Sequence, residues 1–242
     1  MTITHFSALL PRRRGDLRPL GPPPVAKPGE CPEHPGNSGT YCGPCASERK
    51  AADPNARAEI RTERINRDCD RRFPARFRHA HADDPQVLAW IQQAAADPDS
   101  GPSLLLIGPT GTGKTHQAYG ALRALAPELA GRDWLAIREA DLFGSLRPRP
   151  DLNLEAELRQ YRQASLLLLD DIGVAKLSEW TEEITYRVLD GRYLDMKPTI
   201  ITTNLTPDEL RDTLGDRIAS RLAQTCTIVV LDGPDRRRGA RP

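Results

Sequence analysis

The segment of residues 108–115 carries the clearest chemical pattern in the chain. It reads GPTGTGKT and matches the phosphate-loop pattern G-x-x-x-x-G-K-[ST] at every fixed position. The apolar run 104–107 before it predicts a short buried strand, and residues 115–129 after it are rich in helix formers. Strand, glycine loop and helix in this order predict a nucleotide site, because inward-turned N–H groups and a helix N-terminus attract phosphate oxygens.

Two side chains at the end of this loop are expected to contact ATP and Mg²⁺ directly. Lys114 should reach the β- and γ-phosphates, and the Thr115 hydroxyl should hold Mg²⁺. The alternative is a glycine-rich turn that binds nothing, which the flanking strand and helix patterns disfavour. The residues assigned to nucleotide binding in this loop are Gly108, Pro109, Thr110, Gly111, Thr112, Gly113, Lys114 and Thr115.

A second apolar run, 166–169, ends in the two carboxylates Asp170 and Asp171. This is the Walker-B arrangement, in which a buried strand brings carboxylates beside the phosphates. Asp170 should hold Mg²⁺ through water, and Asp171 could polarise the attacking water as a general base. The alternative is a buried strand that ends in an acidic turn. Its place downstream of a phosphate loop favours the magnesium site.

The next predicted strand, 199–203, is followed by Asn204. An amide at this position would lie between the phosphate loop and Asp171, where it could orient the attacking water. Asn204 could instead cap the helix that begins near Pro207.

Arg217 and Arg221 lie four residues apart and therefore on one face of a predicted helix. They could be solvated, or they could pair with Asp212 and Asp216. A functional interpretation is an arginine finger, presented to the γ-phosphate of a neighbouring subunit to stabilise charge in the transition state.

Near the N-terminus, two short pairs have the spacing of zinc ligands. Cys31 and His34 are separated by two residues, as are Cys42 and Cys45. Paired short spacings suit a tetrahedral Zn²⁺ site, and four protein ligands would make that site structural. The alternatives are a redox Cys-x-x-Cys motif or a chance cluster, and the thioredoxin-like setting of a redox motif is missing. The other cysteines, Cys69 and Cys226, are expected to be free thiols.

Composition narrows the class of protein. The formal net charge of the 242 residues is +1, and no apolar run approaches the length of a membrane span. No signal peptide is evident, so a cytoplasmic location with reduced thiols and no membrane partner is expected. Eight arginines lie within 57–78. This basic stretch could follow a nucleic-acid backbone, or it could be a solvated helix whose acidic residues offset part of the charge.

Strands and helices alternate from residue 83 onward, which predicts an α/β fold with a parallel sheet covered by helices on both faces. The expected organisation is a disordered Pro/Arg-rich tail over 1–30, a zinc module over 31–50, a basic linker or helix over 51–82, and the core over 83–242. The last predicted strand ends about ten residues before the final residue. No sizeable C-terminal lid is therefore expected.

The order and spacing of these motifs resemble AAA+ ATPases of the DnaC/DnaI-type helicase-loader family, over about residues 75–235. The related IstB-type transposase helper ATPases share the same core. The resemblance rests on GPTGTGKT, LLLLDDIG, IITTN and GDRIASRL. It implies a three-layer αβα AAA+ core, ATP hydrolysis at a subunit interface with self-association through that core, and two partners: a hexameric replicative DNA helicase and single-stranded DNA.

The resemblance also implies roles for three arginines. Arg221 matches the family's arginine finger, with Arg217 as a second candidate, and Arg237 sits where the family places a nucleotide-contacting sensor-2 arginine. Many AAA+ proteins carry Glu where this chain has Asp171, so slow hydrolysis is expected.

Three functions follow from these patterns. The first is ATP-dependent loading of a replicative helicase, which the zinc module favours because DnaI-type loaders carry one and transposase helpers generally do not. The second is an IstB-type transposase helper. The third is an adaptor that uses ATP as an assembly switch with little turnover.

Overall fold

Among the described residues, five short strands form one parallel sheet in the order β2-β3-β4-β1-β5. The computed structural model describes residues 31, 34, 42, 44, 45, 53–129, 132–174 and 178–235. The predicted tail over 1–30 lies outside the described residues. The strands are β1 (Ser103–Ile107), β2 (Trp134–Arg138), β3 (Leu166–Ile172), β4 (Thr199–Thr203) and β5 (Cys226–Val230).

Helices connect the strands and cover the sheet. They are α1 (Pro54–Arg72), α2 (Pro85–Ala96), α3 (Lys114–Leu125), α4 (Glu139–Leu146), α5 (Leu154–Gln163), α6 (Glu179–Leu194) and α7 (Pro207–Thr225), with a short 3₁₀ helix at Ala75–Phe77. The chain divides into two compact units, Met1–Glu59 and Ile60–Pro242. The sheet belongs to the second unit.

The three central strands, β1, β3 and β4, are buried on both faces, so they carry apolar runs rather than an alternation of apolar and polar residues. Successive side chains of β1 point to opposite faces. Leu104 and Leu106 pack into one core with α2 and α3, and Leu105 and Ile107 pack into the other with α4, α6 and α7. These two cores make three layers, which confirms the predicted αβα fold with helices on both faces of a parallel sheet.

Part of the segment interpreted as a basic linker belongs to the core of the second unit. The Phe73 side chain is 2% exposed, and its ring centroid lies 4.9 Å from that of Tyr119 and 5.6 Å from that of Trp134. Ile65 and Cys69 precede it at four-residue intervals and pack into the same core. This apolar stripe is hard to recognise in the sequence, because the arginines of the same segment outnumber its apolar residues.

The segment after α1 is also held closely against α3, the helix that follows the phosphate loop. Asp83 N and Asp84 N both donate to Oε1 of the fully buried Gln117. The backbone of His81 and Ala82 lies where a Cβ on Gly120 would have to sit. Gly120 therefore permits a close approach that no larger residue would allow.

We predict that Gly120→Ala destabilises the protein by about 1–3 kcal/mol, because the added methyl group overlaps backbone atoms that cannot rotate away. Gly144→Ala is the matched control, since Gly144 is also helical and a Cβ there meets nothing within 4 Å. It should be neutral or stabilise by up to about 1 kcal/mol through helix propensity. Urea denaturation of both variants measures the difference, and equal free energies of unfolding would contradict the close approach.

Candidate functional site

The predicted phosphate loop connects the end of β1 to the start of α3. Gly113 is the N-cap of α3 with φ 101°, a left-handed conformation that glycine adopts without steric cost. The backbone N–H groups of the first helical turn follow directly, which is the geometry that attracts phosphate. The Lys114 side chain is 5% exposed, and its Nζ donates to the carbonyl oxygens of Gly108 at 2.7 Å and Pro109 at 2.9 Å.

Asn204 lies between this loop and the end of β3, as the sequence predicts. Its Oδ1 accepts a 2.7 Å hydrogen bond from Lys114 Nζ, and its Nδ2 donates to Asp171 Oδ1 at 3.5 Å. The alternative that Asn204 caps the following helix is wrong, since the N-cap of α7 is Thr206, whose side chain accepts from Glu209 N. The Asn204 amide therefore contacts Lys114 and Asp171 instead of capping the helix.

Asp170 is the buried member of the carboxylate pair, at 3% exposed. Its Oδ1 accepts from Thr202 Oγ1 at 2.7 Å, and Thr115 also hydrogen-bonds to it. Burial raises the pKa of Asp170 above its usual range, an effect that the hydrogen bonds from Thr202 and Thr115 oppose. A divalent cation would offset the cost of that buried charge. Carboxylate and hydroxyl oxygens are the ligands that Mg²⁺ prefers, so these two residues fit the ion.

A β-bulge at the end of β3 points the side chains of Asp170 and Asp171 in different directions. Leu169 pairs with Ile201 and Ile172 pairs with Thr203, so Asp170 and Asp171 together oppose the single residue Thr202. Asp171 has φ 59°, which for a residue other than glycine costs on the order of 1 kcal/mol. Bulges of this kind re-aim side chains beside functional sites.

These groups line one cavity of about 740 Å³. Lys114, Thr115, Asp170, Asp171 and Asn204 all contribute to its wall. The volume is in the range of cofactor pockets. Four lining side chains have no site assignment from the sequence: Arg76, Phe77, His116 and Arg138. Phe77 stacks on Tyr119, with ring centroids 4.9 Å apart, and Arg138 Nε donates to Asp141 Oδ2 at 2.8 Å.

Arg217 and Arg221 lie on one face of α7, after a kink at Gly215. Both face Asp190 of α6: Arg221 forms an ion pair with it, and Arg217 Nη2 lies 3.9 Å from its Oδ1. The interpretation that Asp212 and Asp216 pair with these arginines is wrong, because the helix instead packs this face against α6. Arg221 also lies over the Tyr193 ring, 4.6 Å from its centroid.

Arg221 lines a different cavity, of about 410 Å³, together with Ser103 and Thr199 at the amino ends of β1 and β4. Within the described residues, this cavity and the nucleotide cavity share no lining side chain. Arg221 is therefore remote from the phosphate loop of its own chain. Arg237 lies outside the described residues. Asp235, two positions earlier, has its carboxylate close to Gly111 of the loop.

In the first unit, Cys31, His34, Cys42 and Cys45 converge, with their ligand atoms all within 4.8 Å of one another. Cys31 Sγ lies 3.4 Å from Cys45 Sγ, and His34 Nδ1 lies 3.1 Å from Cys45 Sγ and 3.9 Å from Cys31 Sγ. Tetrahedral zinc bonds give ligand separations of about 3.8 Å for two sulfurs and about 3.6 Å for sulfur and nitrogen. The set therefore fits zinc, and none of the five cysteines forms a disulfide.

The family model described as IstB-like ATP-binding protein matches residues 47–241. The chain belongs to this family. Its members are P-loop AAA+ ATPases, so ATP is the nucleotide that this family binds. The resemblance stated from the motifs is thereby confirmed at the level of the AAA+ core that the IstB-like proteins share with helicase loaders.

Two relatives illustrate the two branches of this resemblance. A Mycobacterium tuberculosis protein, whose name describes ATP binding and a place in an insertion sequence, is 27% identical over 165 residues, 66% of this chain and 62% of its own. The replicative helicase loader DnaI of Bacillus subtilis is 29% identical over 190 residues, 67% of this chain and 58% of its own. The IstB-like chain thus spans about three fifths of the length of both relatives.

Solved structures support the fold. The crystal structure of the DnaC helicase loader superposes with a TM-score of 0.56 and 26% identity, over 66% of this chain and 100% of that chain.

In the part of the IstB-like ATPase that the structure describes, no helix combines the length and apolar character needed to cross a bilayer.

Thr202 is a buried residue beside the carboxylate pair to which no sequence motif assigned a role. It has 0% exposure and bonds to both residues of the carboxylate pair. It lies on β4 two residues before Asn204, the spacing at which side chains of an extended chain point to the same face. That spacing is the signal in the sequence that could have identified it. Arg138 carries no comparable signal, because its place in the cavity depends on the pairing of β2 with β3.

We predict that Lys114→Ala weakens ATP binding about 10- to 100-fold, because charge-assisted hydrogen bonds to phosphate are lost. Asp171→Asn should keep ATP binding and lower hydrolysis about 100-fold or more, since an amide cannot accept the proton of the attacking water. Titration calorimetry and phosphate release measure the two effects. Lys197→Ala, which changes a lysine in the other cavity, is the control. Unchanged ATP affinity in Lys114→Ala would refute the assignment.

We predict about one zinc per chain in protein purified without chelator, measured by atomic emission. Cys42→Ser should release the metal and unfold the first unit while ATP binding by the second unit persists. Cys69→Ser is the control, because Cys69 lies in the core of the second unit and burial raises the pKa of its thiol to about 11. Metal-free wild-type protein would rule the site out.

Proposed function

We propose that this IstB-like ATPase is a cytoplasmic, ATP-dependent loader of a replicative DNA helicase that contacts single-stranded DNA. The observation that carries the proposal is the convergence of Cys31, His34, Cys42 and Cys45 in a unit that precedes the ATPase core. By the resemblance, a zinc module before an AAA+ core is a feature of DnaI-type loaders. The similarity to DnaI and to the DnaC fold supports the same branch.

The geometry of the cavity supports specific roles in ATP hydrolysis. Lys114 and the loop N–H groups bind the phosphates. Thr115 and Asp170 would hold Mg²⁺, which would neutralise part of the phosphate charge. Asp171 accepts a proton from the attacking water. Asn204 orients that water, because its amide already bridges Lys114 and Asp171.

Arg221 completes the site of a neighbouring subunit in this proposal. Its distance from its own phosphate loop suits action in trans, and its ion pair with Asp190 keeps the guanidinium oriented until a second copy docks. Arg217 is the second candidate, more exposed and more weakly paired with the same carboxylate. Self-association through the ATPase core is therefore part of the proposed function.

The exposed arginines of α1 support contact with nucleic acid. Arg61, Arg64, Arg67 and Arg71 recur at three- and four-residue intervals and are exposed at the surface. A helix face of this kind can follow a phosphate backbone, and its binding should weaken steeply with salt. Asp68 pairs with Arg71 and Arg72 and offsets part of this charge.

An IstB-type transposase helper is the second candidate function. The observations in its favour are the family match over residues 47–241 and the similarity to the insertion-sequence protein of M. tuberculosis. A third candidate is an ATP-switched assembly adaptor with little turnover, which Asp171 favours because a carboxylate one methylene shorter than glutamate positions water less closely.

We predict that the full-length protein loads a hexameric replicative helicase onto a closed single-stranded DNA circle when ATP is present. Helicase bound to the circle after gel filtration is the measurement. Cys42→Ser should keep ATP binding but abolish loading, because the first unit holds the proposed helicase contact. Cys69→Ser should load normally.

Two outcomes would redirect the proposal. Stimulation of a transposase by the full protein, with no effect on any helicase, would favour the helper function. Loading that proceeds equally with ATP and with a non-hydrolysable analogue, with negligible phosphate release, would favour the adaptor.

A further inference from the structure

We propose that Thr202 is a positioning residue for ATP hydrolysis, whose hydroxyl fixes both carboxylates at the end of β3. The proposal rests on the roles given above to Asp170 and Asp171. Thr202 has no assigned role in the site, and its hydroxyl makes one contact to each member of the pair.

The first contact orients Asp170. Thr202 Oγ1 donates to Asp170 Oδ1 at 2.7 Å, and both side chains are buried, at 0% and 3% exposed. A buried hydrogen bond of this length fixes the rotation of the carboxylate. The Thr115 hydroxyl bonds to the same carboxylate. Asp170 is therefore held in one orientation before any ion arrives.

The second contact stabilises the bulge. Because Asp170 and Asp171 oppose one residue of β4, the ladder between β3 and β4 leaves the additional N–H group without a backbone partner. Thr202 Oγ1 accepts from Asp171 N at 2.8 Å and replaces that partner. The bond supports the left-handed backbone of Asp171, whose side chain then faces Asn204.

A single hydroxyl thus donates to one carboxylate and accepts from the backbone of the next, which uses both of its bonding directions. Valine has nearly the same shape but can do neither. Serine can do both. Groups that support metal ligands from behind typically change metal affinity or activity about 10- to 100-fold when removed.

Thr203 provides a matched control on the same strand. It is equally buried, and its Oγ1 donates to the Ile172 carbonyl at 2.9 Å and accepts from Leu205 N at 3.1 Å. Thr203→Val therefore removes a buried hydroxyl and two hydrogen bonds without touching a carboxylate. It reproduces the structural cost of Thr202→Val and lacks the proposed functional cost.

The experiment titrates Mg²⁺ against full-length Thr202→Val, Thr202→Ser, Thr203→Val and Asp170→Asn. One readout is binding of a fluorescent ATP analogue, and the other is steady-state hydrolysis. We expect Thr202→Val to raise the half-saturating Mg²⁺ concentration for nucleotide binding about tenfold and to lower kcat about tenfold or more. Binding in EDTA should not change, because the Lys114 contacts remain. Thr202→Ser should behave as wild type, and Thr203→Val should keep its Mg²⁺ dependence.

Three results overturn the proposal. An unchanged Mg²⁺ dependence in Thr202→Val beside a shifted one in Asp170→Asn would overturn it while leaving the proposed function intact. An equal shift in Thr203→Val would show that any buried hydroxyl here is structural. An unchanged Asp170→Asn would show that the assignment of Asp170 is wrong, and the proposal would fail with it. If Thr202→Val does not fold, Thr202→Cys, with a weaker donor, makes the same comparison.

Discussion

Backbone hydrogen bonds among β1, β4 and β3 hold the nucleotide site together, because they fix the carboxyl ends of three neighbouring parallel strands side by side. Ile107 pairs with Thr203, and Thr203 pairs with Ile172. The phosphate loop follows β1, Asn204 follows β4, and the carboxylate pair lies at the end of β3. Their proximity therefore requires no long-range contact beyond the sheet itself. Nucleotide sites of open parallel sheets occur at this edge for the same reason.

Much of this site is predictable from the sequence because its information is local. The glycine loop, the LLLLDD run and the residue after IITT each identify a strand end from a few consecutive letters. The alternation of strands and helices then supplies the sheet. The zinc cluster is also local, since only two residues separate the ligands of each pair. For such motifs the type and spacing of residues are sufficient to place the chemistry.

The parts that sequence reasoning missed depend on tertiary partners. Arg221 pairs with Asp190, a residue of another helix, and not with the aspartates nearest in sequence. Phe73 belongs to the core because Tyr119 and Trp134 lie against it, although arginines surround it in the chain. Helix α4 was not predicted, since it follows β2 with no turn residues between them. The β-bulge at Asp170 and Asp171 cannot be read from one strand, because it exists only relative to β4.

The site buries charges of both signs and contacts each of them with neutral polar groups. Burying Lys114 and Asp170 costs free energy unless polar groups replace the lost water. Neutral groups contribute to this compensation: Asn204 and two carbonyls for the ammonium, and Thr202 with Thr115 for the carboxylate. These hydrogen bonds to neutral groups hold the ammonium and the carboxylate in fixed positions on the wall of the cavity.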